Sequence, residues 1–521
     1  MRTLRLLWRL LVIARTLARH DALAPLEALG VMPLVARIAG LVSRRSAEGR
    51  PGQKLAAALT ELGPSFIKLG QFLSTRADLL GEEIAADLSD LQDALPPFAW
   101  EDARRTIESE LGGTVEQLFL SIDSEPVSAA SIAQVHLATV APSPRSEEEA
   151  ASVAEPAPRE VAVKVLRPGI EEAFERDLSF FYALANLAER SQPRLRRFRL
   201  RAAVATFEQT VRLEMDLRME AAAASELAAN FEGDPSYRVP AIDWERSARR
   251  VLTQERVSGI PLDDRESLLA AGHDLQVVLT RAAEIFFNQV FRDGFFHGDQ
   301  HPGNMWVDEA GSIVAVDFGI MGRLDHETRC YLADMLMTTL QRDYRALAQV
   351  HADAGYLPGE SDLDTFAQAL RSVCEPIFGR PLSRISFARL LAQLFQLTEA
   401  FSMPVQPQLL LLQKNMLMAE GVSRRLDAQL NIWTLAQPLI VDWMRANRGP
   451  QARVRDTTRE LLRALERVPS TLRNIDRAAQ CMAEAAPQPG RDGQASGWRP
   501  TALALAPWLL AAALLMVLLL H

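Results

Sequence analysis

The period at which apolar residues recur changes along the chain, and this change outlines its organisation. The alternating runs SIAQVHLATV, EVAVKVL and RRVLTQERV predict short β-strands. Helical spacing covers 171–190 and 201–231, and it resumes for most of the chain beyond about residue 262. Within that later part, MWVDEAGSIVAVDFG predicts two short strands joined by a Glu-Ala-Gly turn. Strands followed by helices indicate an α+β fold with two lobes.

An uncharged apolar segment stands at the end of the chain. Residues 501–520, TALALAPWLLAAALLMVLLL, would span roughly 30 Å as a helix, which is the thickness of a bilayer core. They predict a C-terminal transmembrane helix, with a buried core helix as the alternative. Arg491 and Arg499 precede the segment and only His521 follows it, so the body of the chain is expected on the cytoplasmic side.

The first twenty residues mix arginines with leucines. Arg9 interrupts the apolar stretch that a signal peptide would need, so these residues predict a basic amphipathic helix instead. Such a helix either lies on an anionic membrane surface or packs its apolar face on the domain, and both interpretations stay open here.

Composition narrows the class of protein. A net charge of −9 without a long basic stripe argues against nucleic acid as a partner. The three cysteines are far apart, which excludes a disulfide framework or a cysteine zinc site. Residues 141–159 are rich in proline, alanine and glutamate and predict a disordered insert between two strands, and residues 485–500 predict a flexible linker.

The stretch FFHGDQHPGNMWVDEAGSIVAVDFG carries the most specific chemistry. Asp299 and Asn304 are five residues apart, and Asp317 follows after a predicted two-strand turn, as in the phosphate-transfer site of protein kinases. This layout predicts ATP and Mg²⁺ as cofactors: Asp299 is the candidate catalytic carboxylate, while Asn304 and Asp317 are the candidate oxygen ligands of the metal. Two alternatives are a transition-metal site built from His297, Asp299 and His301, and an ordinary polar turn.

Upstream residues complete a nucleotide site in the expected order. Lys164 lies in an alternating strand, as does the lysine that binds the α- and β-phosphates in kinases. Its partner is expected on the helix LEMDLRMEAAAASELAANF, which offers Glu214, Asp216 and Glu220. Glu220 begins an alanine-rich stretch and therefore suits a buried ion pair best, whereas a continuous helix would place Asp216 on the same face.

No glycine-rich loop precedes Lys164. Residues 126–136, PVSAASIAQVH, stand where the phosphate-covering loop should be, and alanine and serine restrict the backbone more than glycine does. The candidate nucleotide-binding residues of this loop are Val127, Ser128, Ala129, Ala130, Ser131, Ile132, Ala133, Gln134 and Val135. The sequence therefore predicts a nucleotide pose unlike that of ordinary protein kinases.

Several motifs in order resemble the UbiB family of atypical kinases, which includes the ADCK proteins of eukaryotes. The resemblance runs from about residue 60 to 430. It covers KLGQFLSTRADLL, the LQD at 91–93, the alanine-rich loop, VAVKVLRPGI, HGDQHPGN, DFG and EGVSRRLD. It implies a protein-kinase-like fold with an N-terminal helical extension. The resulting divisions are 1–59 (basic helical region), 60–100 (extension), 101–260 and 261–447 (N- and C-lobes), 448–500 (helical tail and linker) and 501–520 (transmembrane helix).

The resemblance also implies regulation and a biological role. Lys68 and Gln71 of the KLGQ element should regulate the site by approaching Glu214 and Asp216, while Glu220 pairs with Lys164. The implied function is a membrane-associated ATPase of the bacterial inner membrane that supports ubiquinone biosynthesis. Membrane lipid, polyprenyl quinone precursors and other quinone-biosynthesis enzymes are the implied partners, and an oligomer is compatible with this role. A true protein kinase and a nucleotide-sensing scaffold are the alternatives.

Overall fold

A computed structural model describes most of the chain up to residue 445. The described residues are 2–22, 49–74, 80–89, 95–142, 157–191, 199–378 and 406–426, with position 91 and short stretches between 393 and 445. They belong to one structural unit, Met1–Ala446, and residues 447–521 form a second. The predicted tail and linker at 448–500, the segment 501–520 and most of the insert 141–159 lie outside the described residues.

The described residues form both helices and mainly antiparallel sheets, which agrees with the predicted α+β class. The helices are α1 (Arg2–Arg19), α2 (Pro51–Leu62), α3 (Pro64–Ser74), α4 (Glu82–Ser89), α5 (Trp100–Leu111), α6 (Val115–Leu118), α7 (Ile170–Ser191), α8 (Leu200–Glu214), α9 (Leu217–Asn230), α10 (Arg265–Ala270), α11 (Leu275–Phe287), α12 (His326–Leu340), α13 (Tyr344–Asp353), α14 (Leu363–Phe378) and α15 (Pro407–Leu426). The strands are β1 (Ser121–Ile122), β2 (Ser128–Ala129), β3 (Ala133–Val140), β4 (Arg159–Leu166), β5 (Tyr237–Arg238), β6 (Val251–Glu255), β7 (Ile260–Pro261), β8 (Phe295–His297), β9 (Met305–Val307), β10 (Ile313–Ala315) and β11 (Met321–Arg323).

The first sheet is antiparallel and has the strand order β1-β3-β4-β6, with β2 paired to β3. The alternation in β4 places Val161, Val163 and Val165 in a core that Ala103 and Ile107 of α5 complete. Lys164 lies between these valines and therefore points to the opposite face of the sheet. This alternation of buried and exposed residues is the pattern from which the sequence predicted the strand.

The N-terminal helices α2, α3 and α4 pack on one another, and α3 also contacts α7 and α8. Phe66 of α3 meets Phe181 of α7 edge to face, with ring centroids 5.2 Å apart. Gly70 lets α3 lie close to its other neighbours, because a Cβ atom there would come within 2.7 Å of the Leu91 side chain and 2.8 Å of the Leu59 side chain. The close approach holds α3 firmly against its neighbours.

The helix predicted across 201–231 is interrupted, so its prediction as one helix is wrong. Helix α8 ends at Glu214, and Asp216 caps α9 by accepting a hydrogen bond from the backbone N–H of Arg218 at 3.2 Å. Because the capping residue takes an extended backbone conformation, the angular relation between Asp216 and Glu220 derived from a continuous helix does not hold.

Two smaller sheets follow in the C-terminal part of the unit. One has the order β5-β10-β9-β7 and contains the predicted β9–β10 hairpin, and the other pairs β8 with β11. A π-helical turn at Asn288–Asp293 joins α11 to β8 and directs the buried side chain of Gln289 toward the segment that follows. These short strands position the HGDQHPGN and DFG motifs.

The predicted membrane location requires correction. Among the described helices, none combines the length and the apolar character that crossing a bilayer requires. The two longest of them, α7 with 22 residues and α15 with 20, carry several charged side chains each. This finding overturns the prediction of a single-pass protein of the bacterial inner membrane, and the segment 501–520 on which it rested lies outside the described residues.

Helix α1 packs on the domain, which was one of its two interpretations. Ile13 and Leu17 are buried in the same core as α2 and α7. Arg9 forms an ion pair with the buried carboxylate of Asp177 at 2.9 Å and lies over the ring of Phe66. Protein thus covers the apolar side chains of Ile13 and Leu17.

Candidate active site

Lys164 joins two carboxylates at the centre of the site. Its Nζ lies 2.8 and 2.9 Å from the two carboxylate oxygens of Glu220 and 3.0 Å from Oδ1 of Asp317. Burial alone would lower the pKa of the Lys164 ammonium, but Asp317 and Glu220 outweigh it and raise that pKa above its usual value. Burial raises the pKa of Glu220 to about 7 although Lys164 opposes this shift. The lysine therefore stays charged in the pH range where Glu220 titrates.

Asp317 combines an exposed carboxylate with an unusual backbone. The charge of Lys164 lowers the pKa of the Asp317 carboxyl below its usual range, and about half of its side chain is exposed (54%). Its φ of 63° is left-handed, a conformation that costs free energy in a residue with a side chain and that occurs often at functional sites. The neighbouring Phe318 is buried and packs edge to face on His297. This packing holds the strained residue in place.

The loop that contains Asp299 and Asn304 lies against the DFG segment. The side-chain amide of Asn304 donates to the backbone carbonyl of Asp299 at 3.1 Å, and the N–H of Val316 donates to the carbonyl of Asn304 at 2.9 Å. Gly298 makes the approach possible, because a Cβ atom there would lie 2.8 Å from the side chain of Ile320. The fold thus brings together the three residues that the sequence nominates.

The alternative transition-metal site is not present in the described part of the chain, where no three His, Cys, Asp or Glu side chains gather as a metal site. His297 accepts a hydrogen bond from the N–H of Asp299 and lies 3.2 Å from the carbonyl of Val316. His301 accepts one from the N–H of Gly303 at 3.1 Å. Both imidazoles therefore form hydrogen bonds with backbone atoms. Burial lowers the pKa of His297 and so favours its neutral form.

The alanine-rich segment is a tight hairpin between β2 and β3. Ala130 donates its N–H to the carbonyl of Ala133 at 2.8 Å, and Ser131 is fully buried. Arg167 fastens the turn: its guanidinium donates to the carbonyls of Ser131 and Pro96, at 3.3 and 3.0 Å. The residues Val127 to Val135 therefore form a clamped hairpin rather than an open loop, and the side chain of Gln134 adds bonds to the backbone of Phe98.

The KLGQ element lies beside the site, as its resemblance implied. Nζ of Lys68 is 3.0 Å from Glu214, and both side chains are nearly buried. The charge of Lys68 also contributes to lowering the pKa of Asp317, which places it near the phosphate-transfer residues. Asp216 does not join this pair, because its carboxylate caps α9 and binds Arg218 at 2.7 Å. Gln71 is half-buried in the next turn, where its carbonyl accepts the hydroxyl of Ser74.

Four further residues reach the site from places that periodicity did not nominate. Nζ of Lys414, on α15, lies 2.8 Å from Oδ1 of Asp299, and the buried Asn415 binds the backbone on both sides of it. Gln289 accepts the N–H of His297, and Arg167 holds the alanine hairpin. One signal was visible in the sequence: the polar group Gln-Lys-Asn interrupts the apolar run LLLLQKNMLMAE.

Comparison with known proteins decides the family. The model of the ABC1 atypical kinase-like domain matches residues 90–351, and that of the UbiB helical domain matches residues 370–431. A Marinobacter nauticus protein named "Probable protein kinase UbiB" is 44% identical over 422 residues, covering 80% of this chain and 74% of the relative. A Pseudomonas aeruginosa protein of the same name is 41% identical over 504 residues, covering 94% and 91%. The chain belongs to the UbiB family of atypical kinases.

UbiB membership makes the chain a kinase-like phosphotransferase with an α+β kinase-like fold. A solved structure, that of Rv3197 with erythromycin from Mycobacterium tuberculosis, is 24% identical with a TM-score of 0.48, covering 74% of this chain and 95% of the other. Within the UbiB chain, the ABC1 segment carries Lys164, Asp299 and Asp317. Lys414 comes instead from the UbiB helical segment.

Proposed function

We infer that this chain is a Mg²⁺- and ATP-dependent phosphotransferase that mainly hydrolyses ATP and thereby supports ubiquinone biosynthesis. The observation that carries the proposal is the convergence of Lys164, Glu220 and Asp317 within 3.0 Å at a kinase-like site. Phosphoryl transfer depends on positioning and on charge stabilisation, and these residues supply both.

Each candidate residue has a role in this proposal. Lys164, held by Glu220, binds the α- and β-phosphates, and the clamped alanine hairpin covers them. Asn304 and Asp317 provide the hard oxygen donors that Mg²⁺ prefers, and the half-exposed carboxylate of Asp317 suits such a ligand. When bound, the metal neutralises the charge of the phosphates. Asp299 orients the attacking oxygen and accepts its proton.

Hydrolysis is favoured over transfer to a protein because of the elements that surround the site. Lys68 of α3 lies close to Asp317 and is paired with Glu214, where a protein substrate of an ordinary kinase would need access. The regulatory role of Lys68, Gln71, Glu214 and Asp216 belongs to this proposal, with Asp216 acting through the cap of α9. The proposal also includes the division of the chain into an extension at 60–100, an N-lobe at 101–260 and a C-lobe at 261–447. We propose that the activity supports the conversion of polyprenyl quinone precursors to ubiquinone, and this part rests on family membership alone.

The test uses the purified full-length protein with γ-labelled ATP, with and without Mg²⁺, lipid vesicles and candidate quinone-biosynthesis enzymes. Release of labelled phosphate without a labelled protein is the expected result. Asp299→Asn and Asp317→Asn should abolish it. Asp364→Asn is the matched control, because it removes the same charge from an exposed position on α14.

The outcomes separate the alternatives. Stoichiometric labelling of one added enzyme would establish the protein-kinase function instead, and nucleotide binding without turnover would establish a nucleotide sensor. Wild-type turnover by Asp317→Asn would refute the site assignment. A deletion strain tests the biological role: it should accumulate a quinone precursor, and the wild-type gene but not the Asp317→Asn variant should restore the quinone.

A further inference from the structure

The ion pair between Lys414 and Asp299 joins two distant parts of the chain. Nζ of Lys414 lies 2.8 Å from Oδ1 of Asp299, and the two residues are 115 positions apart. Both side chains are about one-third exposed, at 34% and 29%. The lysine thus reaches the open side of the site, where a phosphate would also be accessible to it.

Asn415, the residue after Lys414, fixes the position of Lys414 in the site. Asn415 is fully buried, and its side-chain amide donates to the carbonyl of His297 at 2.5 Å while its oxygen accepts the N–H of Gln300 at 3.2 Å. These bonds bracket Asp299 on both sides. They fix the register of α15 against the loop, so Lys414 has a defined location beside Asp299.

The loop that carries Asp299 has no cationic lysine or arginine of its own to bind a phosphate. The loop from Gly298 to Asn304, GDQHPGN, contains no lysine or arginine. A transferring phosphoryl group spreads negative charge over its three equatorial oxygens, and enzymes place a cation there. Lys164 is already held by Glu220 and Asp317, and its proposed partners are the α- and β-phosphates.

We propose that Lys414 binds the γ-phosphoryl group of ATP and stabilises it during transfer, as a lysine that the UbiB helical segment supplies to the kinase-like core. The claim rests on the proposed phosphotransferase function. In hydrolysis, the bond from the γ-phosphorus to the β,γ-bridging oxygen breaks, and its electron pair stays on ADP. A water oxygen bonds to phosphorus, and the proton of that water passes to Asp299. The ammonium of Lys414, on a flexible four-carbon stem, contacts both Asp299 and a γ-oxygen.

A purely structural role for the ion pair makes a different prediction. If Lys414 only positioned Asp299, its loss would lower turnover but would affect the binding of di- and triphosphates equally. Contact with the γ-phosphate instead requires that binding of a triphosphate suffers selectively. The ratio of the two affinities therefore separates these roles, and it can be measured without any turnover.

The experiment uses the full-length protein with Mg²⁺ and measures dissociation constants for ADP and for the non-hydrolysable β,γ-imido analogue of ATP by calorimetry. Lys414→Gln and Lys414→Met should weaken binding of the analogue about 10-fold or more, as expected for loss of a charged hydrogen bond, and leave ADP within about twofold. The kcat for ATP should fall about 100-fold. Lys414→Arg should recover part of both. Lys54→Ala, which removes a lysine on α2 that is paired with Asp21, is the control.

Melting temperatures verify that each variant folds, and either of the two neutral variants suffices for the test. An unchanged ratio of analogue to ADP affinity in a folded variant overturns the proposal, whether or not kcat falls. If the wild-type protein binds nucleotide without hydrolysing or transferring phosphate, the proposed function fails, but the affinity ratio still decides the role of Lys414.

Discussion

Removal of the Asn415 side chain should release the loop that carries Asp299. In Asn415→Ala, the carbonyl of His297 and the N–H of Gln300 both lose a buried partner. Each unsatisfied group costs about 1–3 kcal/mol. For the Gln300 N–H alone, local opening should become easier by that amount, which corresponds to roughly 5- to 150-fold faster hydrogen exchange at this amide.

Hydrogen–deuterium exchange of the peptides that cover residues 295–304 measures this effect. Asn415→Asp should fall between the alanine variant and the wild type at Gln300, because it keeps an acceptor there but loses the donor to His297. Gln408→Ala, an exposed position on the same helix, should change stability by no more than about 0.5 kcal/mol and should leave the loop unaffected. Wild-type exchange at Gln300 in Asn415→Ala would show that α15 does not hold the loop.

Three further predictions concern the scaffold of the site. Asp216→Ala should lower the free energy of unfolding by about 1 kcal/mol through loss of the α9 cap. An unchanged free energy of unfolding in urea titrations would contradict this. Gly70→Ala should destabilise the protein by about 1–3 kcal/mol through overpacking, and an unchanged melting temperature would refute that. Because burial lowers the pKa of His136 below its usual 6.5, the unfolded chain binds a proton that the folded chain refuses. Stability should therefore decrease as pH falls below about 6.5, and less steeply in His136→Gln; equal slopes in urea titrations at pH 5 to 8 would contradict this.

Local sequence patterns predicted those elements in which one buried face sets the spacing of the apolar residues. The valines of β4 and the β9–β10 hairpin are of this kind, and the spacing of Asp299, Asn304 and Asp317 gave the centre of the site. Apolar periodicity continues across the break before Asp216 and so does not reveal it, although an aspartate in front of a helical run is itself a capping signal.

The remaining contacts depend on tertiary structure. Lys414 reaches Asp299 across 115 residues, and no local pattern states which loop a polar group inside an apolar helix will meet. Arg167 directly follows a predicted strand, but its contact with the carbonyl of Pro96 joins residues that are 71 positions apart. Fold class was therefore readable from sequence, whereas these supports of the site required coordinates.

The distance along the chain between Gln300 and Asn415 sets an order of events during synthesis. At 5–20 residues per second, the ribosome needs about 6 to 23 s to add the 115 residues that separate them. Until then the nascent chain can form the first sheet and the β9–β10 hairpin, but the loop that carries Asp299 lacks its two anchoring bonds. The growing polypeptide thus acquires its complete phosphate-transfer centre late, after most of the kinase-like core has left the ribosome.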